Sequence, residues 1–220
     1  MHPRRPPPRS AAPIVLFALT ACATTTLPEG SGRGLVSHDS APPAGVETFA
    51  APRWKAGDRF VFVRGNAQRF ALHVEPRGDG LALVDDATRD RQLLSAELAD
   101  LGMEEANGER FVPSIAMDPA DVRYHWPLWL GKRWSCHFLR KAPGQPPLPL
   151  LVSYAIEAGE DVTVAAGTFR TLRILRRASV ADEGTYLERA ALSWYAPAVG
   201  IEVRRLEDGI LTELAEVHRQ

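Results

Sequence analysis

Four β-prone runs near the end of the chain decide the fold: TFRTLRILRR at 168–177, TYLERAALSWY at 185–195, IEVRRL at 201–206 and ILTELAEV at 210–217. Short segments that contain Gly184, Gly200 and Gly209 join each run to the next. Parallel strands need a crossover connection of roughly a dozen residues or more, so strands that are joined this tightly pair antiparallel. The pattern therefore predicts a C-terminal antiparallel meander.

Shorter runs of the same kind precede this meander: RFVFVR at 59–64, RFALHVE at 69–75 and LALVD at 81–85. Segments that pair glycine with asparagine or aspartate separate them, which is typical of hairpin turns. The chain is 45% hydrophobic and 24% charged, a balance that is typical of globular proteins. These features predict a single, mainly β domain over residues 51–220.

The middle of the chain is ambiguous. Residues 92–103 (QLLSAELADLGM) place Leu94, Leu98 and Leu101 four and three positions apart. This spacing predicts one short amphipathic helix. A pair of strands is the competing interpretation of the same residues.

The first 22 residues have the features of a bacterial export signal. Residues 1–10 carry three arginines and no acid, and residues 11–19 (AAPIVLFAL) form an apolar run. The run is shorter than the roughly 20 residues that a transmembrane helix needs, but it fits the apolar region of a signal peptide. Residues 19–22 (LTAC) resemble a lipobox, which implies cleavage before Cys22 and diacylglycerol on its thiol. The alternative is an ordinary signal peptide that is cleaved after Ala21, with Cys22 incidental.

We therefore expect a lipoprotein signal peptide at 1–21 and a lipidated flexible tether at 22–50. The tether is rich in small residues and proline and has no hydrophobic period. Residue 23 is alanine, whereas an aspartate there retains lipoproteins of the enterobacterial type in the inner membrane. These features predict a protein of the bacterial cell envelope that is lipid-anchored in the outer membrane and faces the periplasm.

The charge balance excludes one class of partner. The whole chain has 26 Lys and Arg residues and 27 Asp and Glu residues. Without the three arginines of residues 1–10, the predicted mature chain has 23 basic against 27 acidic residues, a net charge of −4. Binding of nucleic acid needs a clustered basic surface, and we therefore expect no nucleic-acid partner.

Two motifs resemble a family of uncharacterised bacterial envelope lipoproteins. The runs VTVAAGTF at 162–169 and WYAPAVG at 194–200 are similar to the V-PAGTF and WYAPGVG patterns of that family, whose members are described as TapB-like or as domains of unknown function. Ala165 and Ala198 replace a proline and a glycine of those patterns. The resemblance covers roughly residues 120–217. It implies a single antiparallel curved sheet or half-barrel, and it carries over no catalytic residue.

The sequence contains none of the local motifs that mark common catalytic sites: the G-x-S-x-G elbow, the H-E-x-x-H helix and the P-loop are missing. With Cys22 lipidated, Cys136 has no intramolecular disulfide partner. Cys136 and His137 are neighbours, and neighbouring side chains of a strand point to opposite faces, which makes a shared metal ion difficult. We therefore expect no enzymatic activity, no metal site and no cofactor.

The densest unusual feature is a group of four aromatic residues within eleven positions: Tyr124, Trp126, Trp129 and Trp134. One interpretation is a corner of the core, where a loop plugs the end of the sheet. The functional interpretation is a binding patch, either a stacking platform for a glycan or the mouth of an apolar cavity.

These features favour a lipid-anchored envelope protein that binds rather than catalyses. In one version the sheet encloses an apolar cavity and takes up a lipid or an acyl group. In another version the domain is a structural module that docks on an envelope protein through an open sheet edge. A periplasmic hydrolase acting on envelope glycan or lipid is a further alternative, and it requires ionisable groups with shifted pKa values in a cleft. An unfilled apolar concave face would favour the first version, and a filled interior would favour the second.

Replacing Cys22 by serine tests the anchor. Serine has no thiol to accept diacylglycerol, so the Cys22→Ser protein should leave the membrane fraction and appear in the soluble fraction of the envelope. Immunoblotting of the separated fractions measures this shift, and Cys136→Ser, which should stay with the membrane, is the matched control. Continued dependence of the Cys22→Ser protein on detergent would contradict the lipobox interpretation.

Overall fold

The computed structural model describes residues 32–180 and 188–220. Within them the chain forms strands, turns and loops, no helix occurs, and every strand pair is antiparallel. These residues accordingly include no helix that is long and apolar enough to cross a membrane. The strands are β1 (Gly34–His38), β2 (Arg59–Arg64), β3 (Gln68–Arg77), β4 (Gly80–Asp85), β5 (Arg91–Leu94), β6 (Asp100–Asn107), β7 (Arg110–Asp121), β8 (Arg133–Lys141), β9 (Leu148–Val164), β10 (Gly167–Val180), β11 (Glu188–Ala196), β12 (Ile201–Glu207) and β13 (Ile210–His218).

The sheet closes on itself as a barrel of twelve strands, with β1 added at its side. Strands β2 to β8 follow one another in chain order, and β13 back to β9 continue the sheet on the other side of β2. Strand β9 also pairs with β8, so β2 to β13 pair in chain order and the pairing of β13 with β2 closes the ring. The predicted mainly β, antiparallel architecture is confirmed, but the sheet goes beyond the curved sheet or half-barrel that the family resemblance implied. Closure pairs backbone groups that the edges of an open sheet would expose.

The C-terminal meander and the early hairpins are confirmed. Strands β10, β11, β12 and β13 pair in chain order, and so do β2, β3 and β4. The turn that joins β10 to β11 lies outside the described residues. Turn chemistry between alternating runs was therefore a sufficient guide to local strand pairing.

The helix predicted over residues 92–103 is wrong, and the competing pair of strands, β5 and β6, is correct. Between these strands a tight turn forms, in which the Leu98 N–H donates to the Ser95 carbonyl at 2.9 Å and Leu98 has a φ of 64°. Leu94 and Leu98 are 5% and 3% exposed, whereas Leu101 is 39% exposed. The helix-like spacing arises because a strand end and a tight turn direct Leu94 and Leu98 into the same core cluster.

Part of the predicted tether belongs to the folded body. Strand β1 pairs with β8, and Phe49 forms an isolated bridge with Leu128. The folded chain therefore reaches back before residue 51, where the sequence places the start of the domain. Strand pairing uses backbone groups, so a segment without a hydrophobic period can still supply a strand.

Two clusters of buried apolar side chains form the core. The first joins β2, β3 and β4 to β12 and β13, and includes Phe60, Val74, Val203 and Leu214. The second lies between β8, β9 and β10, and includes Trp134, Phe138, Val152 and Ile156. Tyr124 and Trp126 pack against both clusters. The connection between β7 and β8 therefore bridges the two halves of the core.

Backbone pairing is short between β7 and β8, and we call this place in the barrel the seam. These strands pair only over residues 116–118 and 139–141. Strand β1 takes the neighbouring part of the same edge of β8, over residues 134–137. The end of β7 pairs with β6, but side chains must supply much of its attachment on the β8 side.

Asp121, the last residue of β7, provides this attachment. Its carboxylate is buried, and its Oδ1 accepts hydrogen bonds from the Tyr154 hydroxyl at 2.6 Å and the Cys136 thiol at 3.4 Å. Its Oδ2 accepts a hydrogen bond from Nη2 of Arg176 at 3.1 Å. Burial and the Asp121 charge raise the pKa of the Cys136 thiol, so the thiol stays protonated and donates. One carboxylate thus links β7 to β8, β9 and β10.

Removing the Asp121 carboxylate should destabilise the barrel strongly. Asp121→Ala leaves Arg176 as a half-buried charge without its partner and should lower the free energy of unfolding by about 3–5 kcal/mol. Asp118→Ala removes an exposed carboxylate that pairs with Lys141, and should cost less than about 1 kcal/mol. Urea unfolding followed by tryptophan fluorescence measures both values. Similar losses for the two variants would contradict the role of Asp121 at the seam.

Candidate functional site

The barrel contains a cavity of about 400 Å³, bounded by β2 to β6 on one side and β12 and β13 on the other. This volume lies within the range of roughly 300–1,000 Å³ that is typical of small-molecule sites. Much of its wall is apolar, and the principal apolar side chains are Phe62, Phe70, Leu72, Leu83, Leu94 and Met103.

The alternation of side-chain direction along β2, β3 and β4 produces this apolar wall. Successive residues of a strand point to opposite faces, so Phe62 in β2, Phe70 and Leu72 in β3, and Leu83 in β4 all line the cavity. The rings of Phe62 and Phe70 stack across the β2–β3 pair with centroids 5.5 Å apart. One face of these three strands therefore supplies much of the apolar wall of the cavity.

The two ends of the cavity differ in character. The inner end is formed by the β7–β8 connection, which contributes Arg123 and Tyr124, and by Leu98 of the β5–β6 turn. The outer end is formed by side chains near the opposite rim of the barrel, among them Arg64 at the end of β2 and Thr88 after β4. Arg64 and Thr88 are exposed, whereas Arg123 and Tyr124 are partly buried.

A hydrogen-bonded group of charges lies at the inner end. The Tyr124 hydroxyl donates to Oε1 of Glu202 at 2.8 Å, and Nε of Arg205 donates to Oε2 of Glu202 at 2.8 Å. Burial raises the pKa of Glu202, but Arg205, Arg123 and the Tyr124 hydrogen bond lower it by more, so the net shift is downward. Burial is also the main reason why the pKa of Tyr124 is raised. Glu202 is therefore a stable carboxylate and Tyr124 a neutral donor.

Arg123 is a permanent cation that lines this end of the cavity. Burial lowers the pKa of its guanidinium, but the nearby Glu202 and Asp100 carboxylates raise it by more. Among the described residues, no hydrogen bond or ion pair within 4 Å reaches the Arg123 guanidinium. The guanidinium therefore has N–H donors that no acceptor of the described residues uses.

A buried lysine holds the β7–β8 connection in place. Lys132 is 1% exposed, and its Nζ donates to the carbonyls of His125 and Pro127. The same Nζ lies 4.1 Å from the centroid of the Trp129 ring. Burial lowers the pKa of Lys132 to about 8. These contacts fix the loop that carries Arg123 and Tyr124.

The four aromatic residues of the predicted binding patch are divided by the structure. Tyr124 lines the cavity, and Trp126 stacks on it with ring centroids 5.3 Å apart while its Nε1 donates to the Glu97 carbonyl. Trp129 and Trp134 are 3% and 2% exposed and belong to the interior. Of the four, Tyr124 alone lines the cavity, and Trp126 supports it by stacking on its ring.

Sequence reasoning missed the charged residues of the cavity. Arg123 stands between Val122 and Tyr124 without a local motif, and Glu202 belongs to a run that reads as an ordinary strand. A bulge at Val203 in the β11–β12 pairing brings Glu202 and Arg205 to the cavity. No feature of the sequence indicates this bulge.

The residues considered for metal binding do not form a metal cluster. Within residues 32–180 and 188–220, no group of three or more His, Cys, Asp or Glu side chains is placed to hold a metal ion. Cys136 and His137 are both buried. The thiol of Cys136 donates to Asp121.

No family model and no curated protein matches this chain. The hypothetical lipoprotein YmcC from Escherichia coli is 10% identical, over 74% of this chain and 85% of that chain, with a TM-score of 0.48. A candidate exported protein with a YmcC-like fold from Bacteroides fragilis is 11% identical, over 79% and 100%, with a TM-score of 0.40. A candidate lipoprotein from Parabacteroides distasonis is 15% identical, over 78% and 99%, with a TM-score of 0.34.

At these identities and TM-scores we draw no functional conclusion from the similar structures. The motif resemblance to TapB-like envelope proteins stays a prediction. The fold and the site themselves define the class of protein: a closed antiparallel β-barrel with an internal, mostly apolar cavity that has charges at one end.

The lowered pKa of Glu202 predicts a pH dependence of stability. The ordinary glutamate value is 4.5, so the stabilisation by folded Glu202 is complete above that pH and is lost as the pH falls through the lower folded pKa. Glu202→Gln should cost about 1.5–3 kcal/mol at pH 7, and the loss should shrink below pH 4.5. Thermal unfolding between pH 3 and pH 7 measures this.

Glu207→Gln is the matched control for this measurement. Glu207 also faces Arg205, but at 3.9 Å and with a side chain that is 44% exposed. Its replacement should change the free energy of unfolding by less than about 1 kcal/mol. A Glu202→Gln effect that is the same at pH 3 and pH 7 would contradict the assigned charge state.

Proposed function

We propose that this chain is a lipid-anchored protein of the bacterial envelope whose barrel binds an apolar or amphiphilic small molecule without catalysis. The observation that carries the proposal is the cavity of about 400 Å³ with its wall of phenylalanine, leucine and methionine side chains. Burial of apolar ligand surface against such a wall contributes about 25 cal/mol per Å².

The unequal filling of the interior supports this proposal. Between β8, β9 and β10, large side chains such as Trp134, Phe138 and Tyr154 fill the space. Between β2 to β6 and β12, the other core cluster has a cavity along its side. Stability alone favours a filled core. An apolar cavity in one half beside a filled half is therefore the arrangement expected of a binding protein.

The carboxylates at the outer end of the cavity have structural partners. Asp85 Oδ1 accepts hydrogen bonds from the N–H groups of Ala87 and Thr88. Asp90 Oδ1 accepts one from the N–H group of Ala106. Both side chains thus hold backbone in place, which favours binding over hydrolysis as the role of the cavity.

The docking version has weaker support, because closure leaves little strand edge for a partner. Strand β9 pairs with β10 on one side and β8 on the other. Strand β1 occupies part of the edge of β8 that β7 leaves unpaired. Binding inside the barrel is therefore the version that the geometry favours.

The location is part of the proposal and depends on the sequence. Cys22 and the export signal lie outside the described residues. A lipid on Cys22 would hold the barrel near a membrane surface, where apolar ligands are concentrated. We assign the outer membrane, facing the periplasm, on the basis of the lipobox and Ala23.

A neutral fluorescent probe tests the cavity. N-phenyl-1-naphthylamine should bind saturably with one site per chain, and its fluorescence should rise on entering the apolar interior. Leu72→Trp places an indole in the cavity and should weaken binding about tenfold or more, since bound probe and indole compete for one volume. Leu211→Trp is the matched control, because Leu211 is 40% exposed and is not part of the wall.

Two results would contradict the proposal. The first is a failure of the unaltered protein to bind the probe saturably. The second is equal weakening by Leu72→Trp and Leu211→Trp in variants that melt cooperatively. Mass spectrometry of molecules that co-purify with the natively extracted protein then identifies the ligand.

A further inference from the structure

We propose that the ligand of the cavity is a single-chain amphiphile with an anionic head group, and that the head group binds Arg123 at the inner end. The inference rests on the proposed function, since it assumes that the cavity takes up a small molecule. It goes beyond it by naming the chemistry of the ligand, its orientation and the residue that recognises it.

Arg123 has no partner for its guanidinium among the described residues. Within residues 32–180 and 188–220, the guanidinium makes no side-chain hydrogen bond and no ion pair within 4 Å, although it lines the cavity. A guanidinium in a partly buried place normally has acceptors, because an unpaired polar group away from water is costly. Its planar fork of donors fits a carboxylate or a phosphate in a bidentate manner.

The carboxylates near Arg123 already accept hydrogen bonds from other donors. Three acids interact electrostatically with Arg123: Glu202, Asp100 and Asp121. Each has both carboxylate oxygens occupied by donors other than Arg123. The donors are Tyr124 and Arg205 on Glu202, Gln92 and the Gly102 N–H on Asp100, and Tyr154, Cys136 and Arg176 on Asp121. These acids thus keep Arg123 charged without using its donors.

The positions of Arg64 and Arg123 at opposite ends of the cavity set the direction of the ligand. Five antiparallel pairings separate β2 from β7 around the barrel, so the two strands run in opposite directions and end at opposite rims. Arg64 is the last residue of β2, at the outer end of the cavity. Arg123 follows β7, at the inner end. Between them lie the apolar side chains Phe62, Phe70 and Leu72. An anion on Arg123 therefore places an attached hydrocarbon chain along the apolar wall, toward the outer end.

Arg64 is the other cation of the cavity without an ion pair among the described residues, and it is a weaker site. It is exposed, and its guanidinium carbon lies 5.8 Å from the centroid of the Phe70 ring. An ion pair in contact with water gains little because both partners stay solvated. Pairing with the partly buried Arg123 is stronger because the surroundings are less polar. The size of the cavity, near the low end for small-molecule sites, favours one chain over two.

Competition against the neutral probe tests the head group on the unaltered protein. Dodecanoate, dodecyl phosphate, dodecanol and dodecyltrimethylammonium share one chain and differ in the head. Both anions should displace N-phenyl-1-naphthylamine at concentrations about tenfold or more below those of the alcohol and the cation. A preference for dodecanoate or for dodecyl phosphate then separates a fatty-acid ligand from a phosphate-bearing one.

Variants of Arg123 test the residue. Arg123→Met should abolish the preference for anions while the neutral probe still binds, and Arg123→Lys should keep part of it, because lysine retains the charge without the bidentate fork. Arg170→Met removes an equal charge from a side chain that is 70% exposed, and should leave the preference unchanged. If Arg123→Met does not fold, the partial loss of the anion preference in Arg123→Lys is the test.

The outcomes separate this inference from the proposed function. Absence of saturable probe binding overturns both. Probe binding with equal competition by dodecanol and dodecanoate overturns the inference alone. Loss of the anion preference in Arg64→Met but not in Arg123→Met overturns the assigned orientation and the role of Arg123.

Discussion

The burial of one carboxylate at the seam is the constraint on which the rest of the barrel depends. Asp121 needs donors because a charge removed from water is costly unless it is paired. Those donors come from β8, β9 and β10, the three strands that follow β7 around the barrel. The chain then enters the β7–β8 connection one residue later. The position of Asp121 therefore holds the end of β7 against these strands and fixes the start of the loop that forms the inner end of the cavity.

The two halves of the interior differ in how they are filled. The half between β8 and β10 is packed with large aromatic and aliphatic side chains, as in an ordinary protein core. The other half has a core cluster of its own, but phenylalanine and leucine side chains of that cluster also line the cavity. Tyr124 and Trp126 contact both clusters and so join the two halves.

Local pairing could be predicted from the sequence, and long-range closure could not. Turn residues between alternating runs are sufficient for β10 to β13, because those strands are neighbours in the chain. The β2–β13 pairing that closes the ring joins β-prone runs from opposite ends of the domain, and nothing in their pattern says that these two strands meet. The helix over residues 92–103 was predicted wrongly, because a strand end and a tight turn place Leu94 and Leu98 at a helix-like spacing. The sequence pattern does not indicate Asp121, Arg123 or Glu202, because single charged residues in strands and loops carry no periodic signal.

Strand β1 gives the barrel a defined path for mechanical load. A pull that is transmitted along the chain from its N-terminal side reaches β1 first, and through the β1–β8 pairing it enters β8 beside the seam. The cavity is lined by β2 to β6, β12 and β13, and β8 contributes nothing to its wall. For the proposed lipid-anchored molecule, a pull on the tether therefore enters the barrel through a strand that takes no part in the cavity.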